Sequence, residues 1–370
     1  MQGKFSHGTS DCERFAAKTK RIVVMGGSFN PPTMAHFHLL QAAMNGIQAE
    51  KGIFVPVSKA YLKRKMRKAG GVQVCFSETD RARMLKCMAA DDSRMEVSDI
   101  EFGTYRPRSF ETMCDLQRLH PDADLYFLIG TDKFAMMSRM RPDNPFLNKL
   151  LFLVFCRDGQ DAERMIVEDA TLSKHKGQFT CLTAPQEADG ISSSSIRELY
   201  LHGSLLADAS LHPDVKKILE GIPVAQFHRE IFRFEGKYGF LSPYNFSMIT
   251  VDDLRYRDSV SAFLSMLCVK REEKKCLSQM SGMQAVQFWK NAAKPEIWEK
   301  LRENAMLTVQ RLKFQQHPDL ATRLAATGEA NLIYGSDDLF WGEDLYRCEG
   351  ENRLGRILMA IRDEIKRGVK

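Results

Sequence analysis

Two short stretches of this 370-residue chain carry side chains at spacings suited to phosphate chemistry. The first, GGSFNPPTMAH at residues 26–36, follows the apolar run Ile22–Met25. Gly26 and Gly27 let main-chain N–H groups approach a ligand with no Cβ in the way. Asn30-Pro31-Pro32 is a rigid turn that cannot be helix. A helix starting at Thr33 puts Thr33 and His36 on one face of its N-terminus. Anions are attracted there by unpaired N–H groups and the helix dipole. Such a donor pair can hold triphosphate oxygens as charge builds on them. His38, two residues on, points away from the His36 face.

The second stretch is GISSSSIREL at residues 190–199. Four serines before Ile-Arg-Glu-Leu read as an N-cap and first turn, with Arg197 one turn in. Hydroxyls, N–H groups and a guanidinium facing one way form a phosphate clamp. The plainer reading is a serine linker, or a cap and nothing more.

Elements that position these residues follow from hydrophobic periodicity. Strands are expected at Ile22–Met25, Gly52–Val57, Leu125–Ile129 and Leu150–Phe155, and helices at Phe37–Ile47, Glu78–Ala90 and Phe110–Leu119. Strands alternating with helices of this length imply a parallel α/β sheet. After Pro223 the text changes to FHREIFRFEGKYGFLSPYNF and then to helical stretches at Ser259–Lys270 and Ile297–Gln315. A boundary near residues 222–228 divides the chain into a loose leader (1–20), a first domain (21–224) and a second (225–370). The basic run YLKRKMRKAGG, residues 61–71, reads as a solvated mobile loop or as one that closes on anionic substrate.

Composition excludes several classes. The chain is 44% hydrophobic and 27% charged, ordinary for a globular protein. It has no uninterrupted apolar run long enough to span a bilayer. Its start lacks the apolar core of a secretory signal, so the cytoplasm is expected. The net charge of +6 suits a protein that handles anions, but does not argue for nucleic acid. Nine cysteines with no metal-ligand spacing read as reduced thiols, and no protein-held metal is expected. No membrane or nucleic-acid partner is expected, and oligomeric state is not legible.

GGSFNPPTMAH resembles the signature of nucleotidyltransferases that join nicotinate or nicotinamide mononucleotide to ATP, with Ala35 replacing a common Gly. GISSSSIREL resembles their ISSxxIR-type phosphate motif. The resemblance covers roughly residues 21–222. It implies a Rossmann-like parallel-sheet nucleotidyltransferase domain with Thr33 and His36 as catalytic residues. ATP would meet Gly26, Gly27, Ser28, Phe29, His36, Asp132, Arg157, Ser193, Ser194 and Arg197. The mononucleotide would meet Ser28, Tyr61, Lys63 and Thr112, the last in SFETM beside VSDIE (97–101). Magnesium would enter with ATP, held largely by its phosphates. A tryptophan expected after Asp132 is missing, leaving Phe102, Tyr105, Phe110 or a Met to stack on the pyridine ring. The choice between the nicotinate and nicotinamide forms stays open. Another phosphate acceptor, or a nucleotide-binding regulator without catalysis, is the rival reading.

The second half carries YGFLSPY, MLTVQRLKF, LAATGEANLIYGS with Asp338, FWG and GENRLGRILM, which resemble the NADAR domain. A smaller, mainly helical α+β domain with an ADP-ribose-like ligand is implied. Its pocket would use Tyr238, Asp338, Trp341, Gly342 and Asn352, with Asn352 also a plausible N-cap. The family's glutamate falls on Ser261. A glycosidase needs a carboxylate, so Asp252, Asp253 or Asp258 would have to substitute. Hydrolysis of an N-glycosidic ADP-ribosyl or NAD-related compound and non-catalytic binding or sensing both remain open.

Overall fold

The computed structural model describes residues 20–69, 72–104, 107–156, 161–204, 210–291 and 297–368. Contacts divide the chain into two units, Met1–Leu62 with Val74–Val224, and Lys63–Gln73 with Ala225–Lys370.

The first unit runs β1 (Lys20–Gly27), α1 (Met34–Gly46), β2 (Lys51–Pro56), the start of α2 (Lys59–Ala69), α3 (Glu78–Ala89), β3 (Met95–Val97), α4 (Ser109–Leu119) and β4 (Ala123–Gly130). It continues with the short helices α5 (Phe134–Met137) and α6 (Pro145–Lys149), then β5 (Leu151–Phe155), α7 (Ala162–Glu168), β6 (Phe179–Leu182), α8 (Ser193–Leu201) and α9 (Pro213–Glu220). The six strands form one sheet in the order β3-β2-β1-β4-β5-β6. Every pairing is parallel. This is the Rossmann-like architecture, and the strand order reverses between β1 and β4. A crevice opens beyond the carboxyl ends of the strands at such a reversal.

The central strands are apolar on both faces because helices cover both. Ile22, Val24, Ile53 and Val55 share one core with Met113, Leu116, Phe134 and Ile166. Val23 and Phe54 are as fully buried as Leu40 and Met44 of α1 and Met84 and Leu85 of α3, all at 0% exposure. The short strands β3 and β6 escape periodicity analysis because three or four residues carry too little pattern.

The second unit contains the end of α2, then β7 (Glu230–Phe232), β8 (Ile249–Val251), β9 (Leu254–Tyr256), α10 (Ser259–Met266), α11 (Arg271–Ser278), α12 (Gly282–Asn291), α13 (Trp298–Gln316), α14 (Pro318–Ala325), β10 (Asn331–Ile333) and α15 (Arg353–Lys366). β10 pairs in parallel with β7, and β8 with β9 antiparallel. Helices pack around a core that includes Leu241, Val309, Leu324, Leu332 and Leu358.

The basic run departs from its expectation. Residues 61–69 are helix, not loop, and Gly70-Gly71 lie outside the described residues. The reason is a buried ion cluster inside the second unit. Arg67 Nε donates to Glu230 at 2.7 Å and Nη2 to Glu343 at 2.8 Å. The three side chains are only 3%, 7% and 8% exposed. Burial alone would lower the Arg67 pKa, but the charges and hydrogen bonds of Glu230 and Glu343 more than offset it and hold the pKa above its usual value. Lys63 Nζ lies 3.5 Å from Glu343 and 3.8 Å from Glu230. Among the described residues no helix is long and apolar enough to cross a membrane.

Candidate active site

β1 ends at Gly27, on the strand reversal. A Cβ at Gly27 would sit 2.9 Å from the Phe29 ring, so the ring can lie there only over glycine. Phe29 is 1% exposed and has a left-handed φ of 42°. Its ring meets Phe54 and His36 edge-on, at centroid distances of 5.6 and 5.0 Å. At Gly26 a Cβ would lie 3.4 Å from Phe127 of β4.

Thr33 is the N-cap of α1, in extended conformation, and His36 is the third residue of the helix. Thr33 Oγ1 lies 2.8 Å from His36 Nδ1, and the Thr33 N–H donates to the same nitrogen at 3.1 Å. A main-chain N–H can only donate, so Nδ1 accepts and a neutral ring carries its proton on Nε2. Thr33 thereby orients His36 as a donor at a helix N-terminus. His38 leaves Nδ1 buried without a partner among the described residues and packs edge-on against Phe37.

The serine stretch starts α8, with Ser192 as N-cap accepting the Ser195 N–H at 3.1 Å. Ser193 Oγ donates to the Pro31 carbonyl at 2.8 Å. Arg197 Nη1 donates to the Asn30 carbonyl at 2.8 Å and to the Ser193 carbonyl at 3.1 Å, while Nη2 reaches Ser194 Oγ at 3.0 Å. Burial moves the Arg197 pKa down. The starts of α1 and α8 thus lie side by side. Together they offer the hydroxyls of Ser193 and Ser194, a guanidinium, the His36 donor and two helix N-termini. That set can hold an oligophosphate.

Asp132 follows β4 on the 3-10 turn Thr131–Lys133, exposed and paired with Lys133. Arg157 and Tyr105 lie outside the described residues. Tyr61 is 40% exposed. Lys63 faces the two carboxylates described above, with which any phosphate there would compete. The Thr112 hydroxyl donates to Glu101 at 2.8 Å, while the other Glu101 oxygen is buried without a partner among the described residues. Burial raises the Glu101 pKa. Phe102 lies over the Arg81 guanidinium at 5.9 Å, and Phe110 packs against the core.

Sequence reasoning missed Asn30 as a tether. Its side chain is 1% exposed, donating to the Val74 carbonyl at 2.7 Å and accepting the Phe76 N–H at 3.0 Å. In a Gly/Pro-rich turn an asparagine reads as turn chemistry, and nothing local announces a partner 44 positions away.

In the second unit, Ser261 is fully buried and its hydroxyl donates to the Asp258 carbonyl at 3.0 Å. Asp258 caps α10, and both its carboxylate oxygens are used. One accepts the Ser261 N–H at 2.9 Å, the other the Gly282 N–H at 2.6 Å. Asp252 occupies a left-handed position between β8 and β9, and Asp253 pairs with Arg271 at the surface. Lys313 is completely buried, and its ammonium donates to the carbonyls of Phe240 at 2.7 Å and Ser242 at 3.3 Å. Burial pushes its pKa down to about 7.

Asp338 accepts the N–H groups of Phe340 and Trp341 at 3.0 and 3.3 Å, holding the turn that presents Trp341 edge-on to Phe263. A Cβ at Gly342 would lie 2.4 Å from the Tyr334 carbonyl, so packing alone requires glycine there. Tyr238 takes a hydrogen bond from Arg229 and lies under the Lys237 ammonium. Asn352 corrects the expectation of a capping side chain. It occupies the N-cap position of α15 with a φ of 48°, but its side chain makes no cap bond. Instead Asn352 accepts the Tyr334 N–H at 3.0 Å and donates to the Leu332 carbonyl at 2.8 Å, because the end of β10 needs those partners.

Comparison with known proteins gives two family matches. A cytidylyltransferase-like pattern covers residues 24–199 and a NADAR domain residues 234–366. A probable nicotinate-nucleotide adenylyltransferase of Shouchella clausii is 28% identical over 202 residues, 54% of this chain and 94% of its own. One of Solibacter usitatus is 30% identical over 186 residues, 50% of this chain and 89% of its own. The NMR structure of the E. coli protein YbiA covers 37% of this chain and 85% of its own, at 29% identity and a TM-score of 0.34.

Proposed function

This chain belongs to the nicotinate-nucleotide adenylyltransferase family and carries a NADAR domain at residues 234–366, and on that premise we propose that it transfers AMP from ATP to nicotinate or nicotinamide mononucleotide. The observation that carries the reading is the meeting of the two phosphate stretches, Arg197 on Asn30 and Ser193 on Pro31. A 5′-phosphate oxygen of the mononucleotide attacks the α-phosphorus of ATP, and pyrophosphate leaves. The attacking oxygen is already anionic, so the chain needs no general base. It contributes orientation and charge stabilisation.

His36 donates from Nε2 to the migrating charge, oriented by Thr33. Ser193, Ser194 and Arg197 hold the triphosphate, with the main chain of Gly26–Phe29 beneath it. Asp132 is assigned to adenosine, as the resemblance implies. Ser28, Tyr61 and Thr112 are assigned to the mononucleotide side. ATP is used as its magnesium complex, and among the described residues no group of three His, Cys, Asp or Glu could hold a metal ion. On this reading magnesium arrives with ATP, held largely by its phosphates.

For the NADAR domain the reading is binding of an ADP-ribose-like compound without hydrolysis. One observation favours this. Ser261 stands where the resemblance expects glutamate, and Asp258, three residues before it, has both oxygens engaged in N–H bonds. A coupled assay on the full chain, with ATP and each mononucleotide, tests the first reading; no pyrophosphate from either substrate rejects it. Incubation of the full chain with NAD and ADP-ribose tests the second, and release of free base would show hydrolysis.

A further inference from the structure

Arg81 of α3 is completely buried and heads the largest fully buried side chains. Among the described residues it forms no ion pair. It spends its donors on three main-chain carbonyls: Ser28 at 3.0 Å, Val57 at 2.7 Å and Phe76 at 3.3 Å. A buried cation with no carboxylate in contact is costly, and a neutral side chain would serve packing alone at lower cost.

The three carbonyls belong to the turn after β1, the segment after β2 and the approach to α3. β1 and β2 are in register there, Gly27 beside Pro56, and the Val57 N–H donates to the Gly27 carbonyl at 2.9 Å. Phe76 closes the circuit. Its carbonyl accepts from Arg81 and its N–H donates to the Asn30 side chain. Ser28 and Asn30 are thus held on either side of Phe29, the residue with the left-handed φ of 42°. Backbone of that kind persists in a bulky residue only when its surroundings over-determine it.

Peptide planarity gives the clamp a consequence. In a trans peptide the C=O and the following N–H point in opposite directions. With the Ser28 carbonyl drawn to Arg81, the Phe29 N–H faces away from Arg81. That N–H has no acceptor among the described residues.

We propose that Arg81 is a positioning residue for adenylyl transfer: it fixes the Ser28–Phe29 peptide so that the Phe29 N–H is presented to a nucleotide phosphate. This rests on the adenylyltransferase reading above. Lysine cannot replace it, because one ammonium lacks the planar fork that reaches three divergent carbonyls.

The test is Arg81→Lys, assayed well below its melting temperature. The kcat is expected to fall at least about tenfold, the scale of a misplaced oxyanion donor, while the KM for ATP moves less than about threefold. A variant that melts earlier but turns over within twofold of wild type would make Arg81 purely structural and overturn the proposal. So would a loss confined to KM.

A second measurement covers a variant that does not fold. In wild-type protein labelled with 15N-phenylalanine, the Phe29 amide, identified by its absence in Phe29→Leu, should shift on addition of MgATP. An unmoved resonance overturns the proposal. If wild type makes no dinucleotide yet the amide shifts, the acceptor assignment fails and the clamp stands.

Discussion

Arg197 donates to the main-chain carbonyl of Asn30 at 2.8 Å, although 167 positions separate them. The bond joins the serine-capped start of α8 to the turn that precedes α1. It brings one positive helix end beside another, an arrangement whose natural occupant is a polyanion.

Arg197→Ala should therefore harm more than a surface contact would. Transfer in kcat/KM for ATP is expected to fall about 10²-fold, the loss of a charge-assisted phosphate contact together with the tether on Asn30. Steady-state kinetics with MgATP varied at saturating mononucleotide measure it. An unchanged kcat/KM would remove Arg197 from the ATP site.

His36→Ala should lower adenylyl transfer by about 10²-fold or more, as removal of one donor to developing charge commonly does. Thr33→Val keeps the shape but removes the hydroxyl 2.8 Å from Nδ1. Its main-chain N–H still sets the tautomer, so a smaller loss, about tenfold, is expected. Near-wild-type turnover in His36→Ala would take that ring out of the mechanism.

Arg67→Met should destabilise the second unit. Among the described residues it leaves Glu230 and Glu343 buried with only the longer ion-pair contacts to Lys63. Breaking a buried ionic cluster from one side costs roughly 3–5 kcal/mol. Thermal unfolding of the full chain, with proteolysis to locate the loosened segment, measures it. A melting curve matching wild type would mean that the cluster contributes nothing to stability.

Lys313 predicts a pH dependence. Its pKa is pushed down to about 7 in the fold, against about 10.4 in an unfolded chain. Below pH 7 both states hold the proton and the cost of burying the charge is complete. Between pH 7 and 10 the unfolded chain keeps a proton that the folded chain has released, so rising pH favours folding. Denaturant titrations between pH 7 and 9.5 should show wild type gaining stability relative to Lys313→Met. Parallel curves for the two proteins would contradict this.

Much of the fold was legible because it depends on local spacing. The apolar runs at Ile22–Met25 and Leu150–Phe155 and the periodicity of Glu78–Ala90 lie on β1, β5 and α3 of the parallel sheet. Thr33 and His36 could be paired from a spacing of three, because a helix N-terminus puts such residues together wherever it lies. The resemblance of GGSFNPPTMAH and GISSSSIREL to one family supplied the order of the two motifs.

Tertiary structure decided which charged and polar groups are buried, and against what. Arg81 sits in a helix that periodicity finds, yet no local pattern shows that it is sealed against three carbonyls. Arg67 lies in a run that looks like a solvated loop, and the carboxylates that bury it are 163 and 276 positions away. Asn352 looks like a helix cap and serves a strand end. The physical reason is common to all three. Periodicity reports which face of an element is apolar, whereas the stability of a buried polar group depends on partners that only the folded chain brings within hydrogen-bonding distance.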